Sequence, residues 1–295
     1  MLHQHGIAFL NLNGTNIFYM LPRYDLHCHS TASDGALSPW QLLEVALEKQ
    51  IEILALTDHD TVTGVNTLLA GALPDTLRLI PGVELTCLWE GRVIHLLGLG
   101  VNPDSEALLH YLDAVRRLRI ERGKLITQRL LKFQLPDLYA SACDIAGSEI
   151  LGRPHIARAM VAAGVVASEQ EAFKRYLGTG KPCDIKAVWP SLEEAVAVVA
   201  TAQGVALIAH PTKYKMTFSK LRRLVTDFVA VGGQGIEVAY PGVTPDQQRH
   251  LLRIADQHEM MVSGGSDFHS PECGWTGLGK FPAMLNTDRH VLRHL

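Results

Sequence analysis

Apolar residues along this chain gather into seven short runs separated by amphipathic stretches. The runs are Tyr24–His29, Ile51–Asp60, Leu77–Glu84, Arg92–Gly100, Gly204–His210, Gly235–Tyr240 and Met260–His269, and six of them end in polar, potentially ligating residues. Ile51-Glu-Ile-Leu-Ala-Leu56 and Val205-Ala-Leu-Ile-Ala209 are nearly continuous, the pattern of parallel strands covered on both faces. Helical patterns lie between most runs. Ser38-Pro39-Trp40-Gln41 places an N-cap Ser, a Pro at the first helical position and a Gln at the third, and Ser191 with Glu194 and Thr244 with Gln247 repeat the device. Strand and helix in alternation predict an α/β fold, and about seven units predict a closed or nearly closed barrel.

The alternation breaks between Val101 and Lys186, where only helical patterns occur: Ser105–Phe133, Ile156–Ala163, and Ser168–Leu177 stopped by Gly178. The predicted organisation is therefore a barrel over 21–100 and 186–285, interrupted by a small helical insertion over 101–185, with residues 1–20 as a loose extension. The first 19 residues hold no Lys or Arg, and Asn11, Asn13 and Asn16 interrupt their apolar stretch, so they do not read as a secretory signal; Met20 serves equally well as a start. The first insertion helix is basic, with Arg116, Arg117, Arg119, Arg122, Lys124, Arg129 and Lys132 against few acids. Such a face is either simply solvated or an electropositive wall for phosphates.

Composition narrows the classes. Apolar residues make up 47% of the 295 and charged residues 19%, which supplies a core and excludes disorder. A net charge of −3 argues against a globally basic nucleic-acid binder, while a local basic groove stays open. Five scattered cysteines without a C-x-x-C suggest neither a disulfide framework nor a thiolate zinc site, and fit a reducing cytoplasm. No stretch approaches the roughly 20 apolar residues of a membrane span.

The chemistry sits at the ends of the runs. His27 and His29 lie two apart, so on a strand both imidazoles face one side. Asp34 follows in a Ser-Asp-Gly turn. Thr57-Asp58-His59-Asp60 closes the second run with ionisable groups that are costly to bury unless paired or ligated. Glu84 closes the third run, His95 lies inside the fourth, His155 starts a helix in Gly152-Arg-Pro-His, His210 closes Ala206-Leu-Ile-Ala-His, and Asp267-Phe-His269 closes the last. Each has an ordinary explanation alone. Together they put imidazoles and carboxylates at strand end after strand end, where parallel barrels carry function. Such ligands without thiolate suit Zn²⁺, Mn²⁺ or Fe²⁺, and nine of them exceed what one ion uses.

This pattern resembles the PHP (polymerase and histidinol phosphatase) family of metal-dependent phosphoesterases. Carrying it are Asp25-Leu-His27-Cys-His29-Ser with Asp34, Thr57-Asp-His59-Asp, Pro81-Gly-Val-Glu84, His95, His155, Ala209-His210-Pro211 and Gly265-Ser-Asp267-Phe-His269, over about residues 22 to 280. Asp34 in place of a His, and an insertion holding Gly152-Arg-Pro-His155 and Gly180-Lys-Pro, are similar to the TrpH-type branch, which includes 3′,5′-nucleoside bisphosphate phosphatases and a 5′→3′ exoribonuclease. The resemblance implies a distorted (β/α)₇ barrel and three metal sites: His27, His29, Glu84 and Asp267; then Glu84 as a bridge with His95 and His155; then Asp34, His59 and His269. It implies two or three divalent ions, Mn²⁺ foremost with Zn²⁺ or Fe²⁺ as alternatives, and a water between two ions as nucleophile. His210 is placed to contact phosphate or to protonate the leaving alkoxide, or else to support a neighbour. Arg153, Lys181 and Lys213 are expected phosphate clamps.

The function expected from this is removal of the 3′-phosphate from a nucleoside 3′,5′-bisphosphate. The alternative is 5′→3′ exoribonuclease action on short 5′-phosphorylated RNA. A remote alternative, an amidohydrolase, shares His-x-His and a last-strand Asp but not Asp34, Thr57-Asp-His-Asp or Glu84. An interaction module built on a degenerate barrel would lack ligands, and none is missing. Expected partners are a nucleotide or short RNA, with no membrane and no stable protein partner.

Overall fold

The computed structural model describes residues 7–12, 15–20, 23–186, 188–272, 277–284 and 289–295. Its strands are β1 (Ile7–Leu12), β2 (Thr15–Met20), β3 (Tyr24–Asp25), β4 (Ile53–Leu56), β5 (Arg78–Trp89), β6 (Arg92–Leu99), β7 (Val205–Ile208), β8 (Gly235–Ala239) and β9 (Met261–Gly264). The helices are α1 (Pro39–Glu48), α2 (Thr63–Leu69), α3 (Glu106–Leu131), α4 (Tyr139–Ala146), α5 (Arg153–Ala162), α6 (Glu169–Ala172), α7 (Leu192–Thr201), α8 (Phe218–Ala230) and α9 (Pro245–Gln257). Within the stretch that the sequence suggests is a loose tail, β1 pairs antiparallel with β2, Ile7 opposite Met20 and Leu12 opposite Thr15. Two apolar, aromatic-rich segments around Asn13-Gly14 are a hairpin signal in the sequence; residues 13 and 14 themselves lie outside the described residues.

Strands β3 to β9 form one sheet in sequence order. β3, β4 and β5 run parallel, as do β7, β8 and β9, with α1, α2, α8 and α9 making the crossovers. The ends of the sheet meet: His29 N–H donates to the Phe268 carbonyl (2.9 Å) and Asp267 N–H to the His27 carbonyl (2.7 Å). The result is a near-closed seven-stranded barrel. It departs from regular alternation at β6, which is antiparallel to both β5 and β7. The cause is local. Trp89 pairs with Arg92, and the two residues between, Glu90 and Gly91, have φ of +45° and +69°, the left-handed pair that a tight hairpin turn requires.

The chain divides into two compact units, residues 1–109 with 190–295, and residues 110–189. Inside the barrel unit, Leu26, Ala55, Ile80, Leu97, Leu207 and Ala209 pack together, and Leu42, Leu54, Leu56 and Leu68 join α1 and α2 to the sheet. The helical unit has its own core, including Ile126, Leu130, Leu138, Leu151, Met160 and Leu177. No helix among the described residues is long and apolar enough to cross a membrane.

Candidate metal centre

The barrel gathers its polar groups at one end of the strands. His27 and His29 follow β3, Asp34 lies in the next turn, His59 follows β4, Glu84 stands in β5, His95 in β6, His210 follows β7, and Asp267 and His269 follow β9. Close approach of the first and last segments needs Gly265, where an added Cβ would lie 2.5 Å from the His27 backbone nitrogen. Three side-chain-bearing residues at these strand ends adopt positive φ: Asp60 (+51°), His210 (+28°) and Asp267 (+48°). Strain of this kind persists only where surroundings over-determine it, and it concentrates at functional sites.

Glu84 is the hub, fully buried. One of its oxygens, Oε2, lies 3.2 Å from His27 Nε2, 3.2 Å from His29 Nε2 and 3.1 Å from His59 Nδ1; the other, Oε1, lies 2.9 Å from both His95 Nδ1 and His210 Nε2. Asp267 Oδ1 completes the first group, 3.4 Å from His27 Nε2 and 3.3 Å from His29 Nε2. On the outer side, Asp34 lies 3.3 Å from His269 Nε2 and 4.0 Å from both His29 Nδ1 and His59 Nε2. Three ligand sets result: His27, His29, Glu84 and Asp267; His59, Glu84 and His95; and His29, Asp34, His59 and His269.

These sets fit divalent ions. Four ligand atoms held at 2.0–2.1 Å around one tetrahedral ion sit about 3.3 Å apart, the spacing of the first set. His27 Nε2, both His29 ring nitrogens, His59 Nδ1 and Glu84 Oε2 are buried yet make no hydrogen bond. Orphaned buried acceptors are rare unless something else satisfies them. Electrostatics agree. Burial pushes the carboxyls of Glu84, Asp34 and Asp267 up, but the surrounding imidazoles, with Lys213 beside Asp267, outweigh it and hold all three well below the usual carboxylate range. Burial pushes His27 down, and Glu237, Glu84 and Asp267 reverse this to leave it well above its ordinary value. The carboxylates thus stay ionised in a pocket of imidazoles, a donor set for hard or borderline cations.

Acids that sequence reading leaves without a specific role build the frame. Asp58 accepts from Ser30 N–H, Ser30 Oγ–H and Ser33 Oγ–H, each at 2.7 Å, and so fixes the turn that carries Asp34. Asp25 accepts from His27 N–H, Ser266 N–H and Gly279 N–H, tying the first strand to the last motif. Asp60 accepts from Thr86 N–H. Glu237, fully buried in β8, went unnoticed in the sequence; its only signal there is an acid inside the otherwise apolar run Gly235-Ile-Glu-Val-Ala239.

The remaining expected residues divide. His210 meets Glu84, and burial pushes its imidazole down against the pull of that carboxylate. The Lys213 ammonium pairs with Asp267 rather than standing free. His155, Arg153 and Lys181 belong to the helical unit, and His155 is in none of the three sets. His155 is buried at the start of α5, where its Nδ1 accepts from Gly152 N–H at 3.2 Å. Arg153 donates to the Leu177 carbonyl at 3.2 Å and lies 3.9 Å from Asp184, and Lys181 is exposed.

Residues 25–139 match the family model of the PHP domain. A protein of Haemophilus influenzae named as a 5′-3′ exoribonuclease is 43% identical over 88% of this chain and 94% of its own length. A 3′,5′-nucleoside bisphosphate phosphatase of Chromobacterium violaceum is 38% identical over 92% of this chain and 95% of its own. A solved structure described as an amidohydrolase of Chromobacterium violaceum, with sulfate and no metal, superposes with a TM-score of 0.86 at 35% identity, covering 92% of this chain and 95% of that one.

Proposed function

Because the chain belongs to the PHP-domain family of metal-dependent phosphoesterases, we propose that it hydrolyses the 3′-linked phosphate of 5′-phosphorylated RNA, releasing nucleotides from the 5′ end. The observation that carries the phosphoesterase chemistry is the nest of three ligand sets interlocked through Glu84, His29 and His59. Divalent ions held there supply the positive charge that polarises a phosphoryl group and acidifies an attacking water. Glu84 presents an oxygen to each of two sets, so it fixes their separation. Asp34 and Asp267, held ionised, keep the pocket selective for cations. Mn²⁺ is assigned as the resident ion.

His210, next to Glu84, is assigned to the leaving oxygen, and Lys213, beside Asp267, to a substrate phosphate. The similarity to an exoribonuclease at 43% identity favours RNA over the free nucleotide expected from the sequence. The second reading, 3′,5′-bisphosphate phosphatase, keeps support from the 38% identical relative. Both break the same bond, P–O3′ of a 5′-phosphorylated nucleoside, and differ in whether the phosphate carries another nucleoside. Product analysis on a short 5′-phosphorylated RNA beside 3′-phosphoadenosine 5′-phosphate, with metal content measured on the same sample, separates them. Stepwise mononucleotides from RNA are expected with the larger kcat/KM. Phosphate release from the bisphosphate with RNA left intact reverses the order, and activity only on a simple amide sinks both.

A further inference from the structure

Glu237 stands in a strand whose five residues are all buried, the setting where a lone carboxylate is most costly. Two donors explain its presence. His27 Nδ1 lies 3.1 Å from Oε1 and 3.3 Å from Oε2, and the His210 backbone N–H donates to Oε2 at 2.7 Å. The opposite nitrogen of His27, Nε2, faces Glu84 and Asp267 in the first ligand set. The imidazole that would hold a cation is the neutral form, which carries one proton. A carboxylate only accepts, so Glu237 holds that proton on Nδ1 and leaves the Nε2 lone pair aimed into the set. The same carboxylate pins the backbone of His210 at its φ of +28°, and with it the imidazole on Glu84.

We infer that Glu237 is a positioning residue that sets the tautomer and orientation of His27 for metal binding and holds the His210 backbone in its strained conformation. Among the described residues its hydrogen bonds run to these two residues, and the inference rests on the metal-centre reading above. Carboxylates placed behind a ligating histidine are worth about 10- to 100-fold in metal affinity. Gln keeps the shape of Glu237 but loses the charge, and with its carbonyl oxygen at the Oε2 position to accept from His210 N–H, its NH₂ takes the place of Oε1, the oxygen nearer His27 Nδ1.

The test is Mn²⁺ binding to the metal-stripped full chain, competed with a chelator, with ions counted per chain and thermal midpoints taken alongside. Glu237→Ala is expected to weaken the ion of the His27, His29, Glu84 and Asp267 set by about 10- to 100-fold. An ion at His29, Asp34, His59 and His269 should keep its wild-type affinity. Glu237→Gln should fall between wild type and Ala, and Glu237→Asp should recover part of the loss. If Ala does not fold, the shape-preserving Gln carries the test. Wild-type affinity in both variants overturns the positioning role while leaving the metal centre in place. Equal weakening of every ion, in step with a lower midpoint, also overturns it by making Glu237 merely structural. A wild-type chain that binds no Mn²⁺ removes the metal centre, and this inference with it.

Discussion

His210 joins two incompatible roles in one side chain, and its geometry tells how to separate them. Its Nε2 lies 2.9 Å from Glu84, while Nδ1 is buried without a hydrogen bond. As a proton donor it matters only when the leaving group is poor. A ribose alkoxide needs a proton as the P–O bond breaks, and p-nitrophenolate does not. General acid catalysis is typically worth ~10²–10⁴ in rate. His210→Asn should therefore slow turnover of a nucleoside 3′-phosphate by a factor in that range and of p-nitrophenyl phosphate far less. Equal losses on the two substrates would make His210 a support for Glu84 instead. That both roles stay open from sequence has a plain cause: Glu84 is 126 positions away, and spacing along a chain does not report such a meeting. The same holds for Glu237, whose partner His27 is 210 positions distant. His27, His29, His59, Glu84, His95, Asp267 and His269 were legible because each ends or interrupts an apolar run, which a sequence does display, and Asp34 because its Ser-Asp-Gly turn follows the first of those runs.

At the scale of elements, local signals read well and pairing direction did not. Ser38 with Gln41, Ser191 with Glu194 and Thr244 with Gln247 each form the reciprocal cap that their spacing predicts. The antiparallel setting of β6 was hidden, since an apolar run looks alike in either direction. The turn that decides it, Glu90-Gly91, lacks the Asn or Asp that usually marks such hairpins. Helix α3 was legible as basic, but its arginines are not equivalent. Arg122 donates to the Ile185 carbonyl and lies over the Trp189 ring, and burial followed by Arg153 and Arg119 lowers its guanidinium to about 10. It is part of the helical unit's packing. Arg117 and Arg129 are exposed; Arg117 pairs with Asp113 and Arg129 donates to the Pro182 carbonyl. Charge reversal at Arg117 and Arg129 should raise KM for RNA by up to about fivefold per site, the equivalent of about 1 kcal/mol, and spare p-nitrophenyl phosphate. Raising salt should shrink the difference. Equal effects on both substrates would reduce the basic face to a solvated one.

For the whole molecule, the ligand sets and the two-unit organisation together predict how stability depends on metal. All three sets are built from residues of the barrel unit, contributed by segments from His27 to His269, so an ion there bridges strands that are far apart in the chain. The unfolded barrel cannot present that arrangement. An ion that binds only the folded state at 100 times its dissociation constant stabilises it by about 2.7 kcal/mol. For a unit of this size each kcal/mol moves the midpoint by about 2–4 °C, which gives a rise of about 5–11 °C. The helical unit has a separate core and no such set among its described residues, so its own unfolding should respond less. Calorimetry of the full chain with excess chelator, then with excess Mn²⁺, tests this. Glu84→Gln supplies the internal control, because Glu84 belongs to two of the sets: its loss should remove the phosphoesterase activity and reduce the Mn²⁺-dependent rise to what an ion at His29, Asp34, His59 and His269 contributes. A variant that keeps full metal content and wild-type turnover would break the link between the sets. A wild-type midpoint indifferent to Mn²⁺ would mean that the clustered imidazoles and carboxylates are balanced by one another, with no ion holding the strands together.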